Sequence, residues 1–110
     1  MAKKKVSKKK KTKKETTAER IMNEFLDWVG EQNPEALYPT DLKDAIVGVV
    51  ERCGTEPLIV LDKQECIRIF VERDGMTEED AWDHFSYNVI GGYVGEGTPF
   101  FLTKIEDVMM

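Results

Sequence analysis

Apolar residues recur at helical spacing along most of the chain from Thr16 onward, in stretches separated by proline and glycine. Ile21, Met22, Phe25, Trp28 and Val29 share one face of a 3.6-residue period. That spacing predicts a first helix, capped by Thr16 or Thr17 and ended near Gln32 by Asn33-Pro34. Leu42, Ala45, Ile46, Val49, Val50 and Cys53 form a second stripe, which predicts a helix begun by Thr40 or Asp41 and stopped at Gly54. Gly48 inside that helix suggests a neighbouring backbone in close approach.

Beyond Pro57 the period changes. The short run Leu-Ile-Val-Leu, closed by Asp62, reads as a buried strand. Asp62 followed by Glu65 resembles a capping box opening a third helix, with Ile67, Phe70 and Val71 turned inward and Gly75 at a left-handed terminus. Thr77, Glu78, Glu79 and Asp80 open a fourth, their acids favoured by the helix dipole, with Ala81, Trp82, Phe85, Val89 and Ile90 as its core face. Phe100, Phe101 and Leu102 form another candidate strand, which could pair with the first. The expected fold class is mainly α (α+β), with about four helices around one core and a short two-stranded β ribbon. A length of 110 residues suits one such domain.

Charge changes this picture at the N-terminus. Nine of the 16 basic residues are Lys3, Lys4, Lys5, Lys8, Lys9, Lys10, Lys11, Lys13 and Lys14, and no acid lies among them. The remaining 7 face all 21 acids, so the chain beyond residue 14 carries −14 although the net charge is only −5. Residues 1–15 therefore read as a disordered lysine-rich arm and 16–110 as a single acidic helical domain, because the arm is too polar and self-repelling to fold. The arm can neutralise nucleic-acid phosphates, serve as a nuclear-import address through residues 8–11, or act as a solubilising tail that folds back on the acidic part. Lysine without arginine favours phosphate contact over base readout, so nucleic-acid binding would lack sequence preference. A membrane partner is not expected: no apolar anchor accompanies the lysines, and no run approaches the roughly 18 residues of a span. The start shows neither a signal peptide nor a myristoylation signature, so the expected location is cytoplasmic, or nuclear in a eukaryotic host. The dense acidity of the remainder suggests docking of a basic protein partner.

Candidate chemistry is sparse. Cys53 and Cys66 with the single His84 do not make a zinc set, and no metal or cofactor is implied. Four glycines crowd residues 91–97, and Gly92 and Gly97 have P-loop spacing with Thr98 next. The P-loop lysine is missing, however, and the glycines follow a helix instead of preceding one. Gly91 and Gly92 are expected to end the fourth helix, and Gly95 and Gly97 to turn the chain back toward the core. Tyr93, Glu96 and Thr98 on this constrained loop are candidate binding residues. Asp80, His84 and Asn88 recur at i, i+4 and i+8, where a carboxylate orienting an imidazole would be half of an acid–base device. The plainer alternative is a solvated helix face with a weak Asp–His pair. A nucleophile would have to come from Ser86, Cys53 or Cys66 by folding. The expectation is a non-catalytic binding protein, with a small hydrolase or nucleotide-handling enzyme using Asp80, His84 and the 91–97 loop as the alternative.

Residues 42–101 resemble a family of short uncharacterised proteins common in bacteriophage and bacterial genomes. The family carries D-G-M-[ST]-x-E-E-A followed by N-V-x-G-x-[WY]-x-G-E-x-T-P. Here the first segment is Asp74, Gly75, Met76, Thr77, Glu78, Glu79 and Ala81, with Asp80 standing where the family often has Glu. The second supplies Asn88, Val89, Gly91, Tyr93, Gly95, Glu96, Thr98 and Pro99. The resemblance implies a viral or phage-like accessory protein, supplies no activity, and does not reach the lysine arm.

Overall fold

The computed structural model describes residues 15–90, 92 and 95–109. The nine arm lysines, Gly91 and Tyr93 lie outside them. Helix α1 spans Thr17–Gln32 and opens with a full capping box: the Thr16 hydroxyl accepts from the Glu19 amide at 3.1 Å, and the Glu19 carboxylate accepts from the Thr16 amide at 3.0 Å. Its buried face is turned from the expected one. Leu26 and Val29 are buried and Met22 and Phe25 pack beside them, while Ile21 and Trp28 are 56% and 43% exposed. Asn33 ends the helix and is itself buried. Its amide donates to the Pro57 carbonyl at 2.9 Å and its oxygen accepts from the Glu35 amide at 3.0 Å.

The expected second helix is not formed. A 3-10 turn covers Thr40–Ala45, and the chain then extends as β1, Ile46–Val50. Four β-branched residues in five favour a pleated conformation, and a short apolar run fits either period until a partner strand decides. That partner is β2, Leu58–Asp62, antiparallel to β1, with Ile46 opposite Leu61, Val49 opposite Ile59 and an irregularity at Val47. A Cβ built on Gly48 would meet nothing within 4 Å, so no backbone crowds it. Gly54, at φ 86°, turns the hairpin instead of stopping a helix.

Helix α2, Lys63–Asp74, is capped by Asp62, whose side chain accepts from the Gln64 amide at 3.2 Å. Glu65 does not close the box, because its carboxylate pairs with Arg68 instead. Gly75 ends the helix at φ 72°. Helix α3, Glu78–His84, starts at Thr77, whose hydroxyl accepts from the Asp80 amide at 3.1 Å, and continues into a π-helical turn, Phe85–Ile90. Strand β3, Phe100–Leu102, lies parallel to β2, and a short α4, Ile105–Met109, follows.

The fold is therefore α+β, with a mixed three-stranded sheet in the order β1-β2-β3 in place of the expected two-stranded ribbon. Ile59 and Leu61 point from the central strand into a core shared with Leu42, Cys66, Phe70 and Phe85. Each of the leucine, isoleucine and phenylalanine side chains contributes about 1.5–3 kcal/mol by leaving water. Phe101 of β3 packs edge-on against Phe85 at 5.3 Å, joining the sheet to the π turn. At the end of β2 the buried Asp62 carboxylate meets Lys104 Nζ at 3.1 Å, which ties the start of α2 to the segment after β3. No helix among the described residues is long and apolar enough to cross a membrane.

Candidate functional site

The glycine loop docks on the segment after α1. Gly97 accepts a hydrogen bond from the Leu37 amide at 3.0 Å, and a Cβ built on Gly97 would stand 1.9 Å from the Glu35 carbonyl oxygen. Only a residue without a side chain can approach so closely. Gly95, at φ 108°, supplies the turn, and its carbonyl accepts from both the Thr98 amide at 3.2 Å and the Thr98 hydroxyl at 2.6 Å. The Thr98 amide thus serves the turn itself, and Glu96 stays exposed at its tip. Glu96 instead borders a shallow depression with Glu35 and Glu56, beside the β1–β2 hairpin.

On the other side of this loop a cleft of about 250 Å³ opens between the 3-10 turn, α2, the α3–π junction and the approach to β3. Leu42, Phe70, Val89 and Phe101 make its apolar walls, and Thr40, Asp41, His84, Asn88 and Thr98 bring polar groups to it. His84 is half-buried, its ring edge-on to Phe70 at 4.8 Å. Nδ1 of His84 lies 3.1 Å from the Asn88 amide nitrogen. With that amide donating, Nδ1 is the acceptor and a neutral ring carries its hydrogen on Nε2.

The structure thus brings together part of the polar stripe and separates the rest. His84 and Asn88 bond to each other and face a cleft, so the stripe is not simply a solvated surface. Among the described residues Asp80 makes no hydrogen bond to His84; its side chain is exposed and only its amide is held, by Thr77. Asp74 is the acid that feels the imidazole. The Arg73 guanidinium bonded to it holds its carboxyl below the usual range, and the charge of His84 adds in the same direction. Arg73 donates to both Asp74 oxygens, at 2.9 and 3.0 Å, and to the Asp41 carbonyl at 2.6 Å, fastening the end of α2 to the cleft rim.

None of the candidate nucleophiles is among the described residues lining the cleft. Ser86 and Cys53 are exposed elsewhere, and Cys66 is buried in the core. Burial, helped by the nearby carboxylates of Asp62 and Glu65, pushes the Cys66 thiol up to about 12, far from a thiolate at neutral pH. No group of three or more His, Cys, Asp or Glu side chains gathers to hold a metal among the described residues.

Sequence spacing did not reveal Thr40, Asp41 or Phe70 as part of this site. They reach it from a turn and a second helix, and the segment holding Thr40 and Asp41 reads locally as an ordinary helix start. Compared with family models, curated proteins and solved structures, the chain matches none.

Proposed function

We propose that this chain is a non-catalytic, phage-like accessory binding protein. Its acidic folded part engages a protein partner with basic surface, and its lysine-rich arm grips nucleic acid without sequence preference. The observation that carries this reading is the segregation of charge: nine lysines and no acid in the first 14 residues, against −14 in all that follows. Phosphates are drawn to the first and repelled by the second. The resemblance to phage and bacterial proteins over residues 42–101 supports the accessory role, in the host cytoplasm or in the nucleus of a eukaryotic host. The pairing of His84 with Asn88 instead of a carboxylate supports binding over acid–base chemistry.

The test is fluorescence anisotropy with labelled duplex and labelled RNA across a salt series. The full chain is compared with a variant carrying glutamine at all nine arm lysines. The full chain should bind with a log–log salt slope no steeper than about −8 on duplex, since each neutralised phosphate contributes about −0.9, and the variant should lose both binding and slope. Equal binding by the two would remove the arm from the proposal, and no binding by either would remove nucleic acid.

One observation favours a second reading, a small hydrolase or nucleotide-handling enzyme using His84, with Asp80 and the 91–97 loop nearby: His84 lines a cleft together with Thr98 and Gly92. Under that reading His84→Gln abolishes turnover of a substrate while leaving the fold intact.

A further inference from the structure

The cleft beside His84 deepens the docking role and rests on the reading of the folded part as a receptor for a basic partner. The geometry points to it as the receptor for one arginine side chain presented by that partner.

Size is the first reason. At about 250 Å³ the cleft lies below the roughly 300–1,000 Å³ of sites that enclose whole small molecules, and it suits a single long side chain. Charge is the second. Among the described residues Asp41 is the only acid lining it, and no lysine or arginine does so. Arg73 stands close but is already engaged, with its fork on the Asp74 carboxylate and the Asp41 main-chain carbonyl. The Asp41 carboxylate forms only a long, 3.9 Å ion pair with Arg73 and is 66% exposed, so it keeps oxygen lone pairs for an incoming cation. An anionic ligand would meet that carboxylate and the −14 of the surrounding chain.

Shape and hydrogen bonding select the guanidinium among cations. Leu42, Phe70 and Phe101 offer apolar and aromatic wall to a methylene stem and a flat cationic head. Asn88 spends its amide nitrogen on His84, which leaves its carboxamide oxygen to accept alongside Asp41 and the Thr40 hydroxyl. A planar fork with several donors can satisfy acceptors on two sides of a cleft at once, whereas an ammonium acts as a point charge. The first 14 residues contain lysine and no arginine, so the arm does not supply this side chain.

The experiment is a nuclear magnetic resonance titration of the isotope-labelled full chain with acetyl-Gly-Arg-Gly-amide. The lysine and glutamate analogues and a longer mixed arginine–lysine peptide are run beside it. Saturating shifts should centre on Asp41, Leu42, Val89 and Thr98, with the arginine probe bound more tightly than the lysine probe and no response to glutamate. Asp41→Asn should weaken the arginine probe about tenfold, the scale of one hydrogen bond to a charged group, without changing the melting temperature. Asn88→Ala should weaken it as well and serves as the second variant. Shifts scattered over the acidic surface, equal for arginine and lysine and indifferent to Asp41→Asn, would overturn the inference. If the longer peptide binds while the cleft does not respond, the arginine receptor falls and the docking role survives. If neither peptide binds, both fall.

Discussion

At Gly97 the chain is packed to backbone contact, with the Glu35 carbonyl where a Cβ would sit and the Leu37 amide bonded to its oxygen. At Asn88, only a short way back along the chain, an exposed carboxamide holds a histidine ring and leaves an oxygen over an open cleft. The two positions border the same part of the molecule but do different work. The loop spends its polar groups on holding the chain together, and the cleft keeps some in reserve. Gly95 and Gly97, conspicuous in the sequence, belong to the scaffold, while the less conspicuous His84 and Asn88 line an open cleft.

Substitutions at the two positions should have opposite consequences for folding and for binding. The largest effect is expected at Gly97→Ala. Its methyl cannot be placed without pushing back the 33–38 segment, so destabilisation of about 3 kcal/mol or more should appear in denaturant unfolding. Asn33→Ala should follow, at about 1–3 kcal/mol, because it strands the buried Pro57 carbonyl and removes a hold on the Glu35 amide. If it were neutral, the loop's docking surface would be softer than the contacts imply. Thr77→Ala removes the α3 cap and should cost about 1 kcal/mol, testing whether the helix bearing His84 depends on its start. Asn88→Ala should fall within about 0.5 kcal/mol of the parent, as suits an exposed residue with one exposed side-chain hydrogen bond.

Thiol chemistry gives an independent view of the same interior. Cys53 should react freely with a disulfide reagent, and Cys66 only as fast as the chain opens. The folded Cys66 thiol titrates near 12, above the roughly 8.5 of an unfolded thiol. Its contribution to stability is therefore complete below the unfolded value and lost as pH rises from there toward 12. Labelling of both thiols at equal rates in the native chain would contradict the core described here.

Much of the fold was legible because local signals and tertiary contacts agreed. Asp62 and Gly75 bound α2, and Thr16 opens α1. Leu-Ile-Val-Leu and Phe-Phe-Leu are strands because β-branched and aromatic residues sit between turn signals. Residues 42–53 misled because their apolar positions fit a helix, and only pairing with β2 makes them a turn and a strand. The face of α1 was read only in part: Met22, Phe25 and Val29 pack inward as the spacing predicts, but Leu26 is buried where Ile21 and Trp28 are exposed, a rotation nothing in the helix alone sets. The site was half legible. His84 and Asn88 stand four apart on one helix, but Asp41 and Phe70 join them through contacts that no spacing encodes.

The contrast between holding and binding is tested most directly by measuring thermal stability and arginine-peptide binding side by side in the parent chain, Gly97→Ala and Asn88→Ala. Asn88→Ala should melt within about 4 °C of the parent, the equivalent of about 0.5 kcal/mol in a domain of this size, and lose most of its binding. Gly97→Ala should lose stability first and binding with it. A stable Gly97→Ala chain, or an Asn88→Ala chain that binds as tightly as the parent, would contradict that contrast.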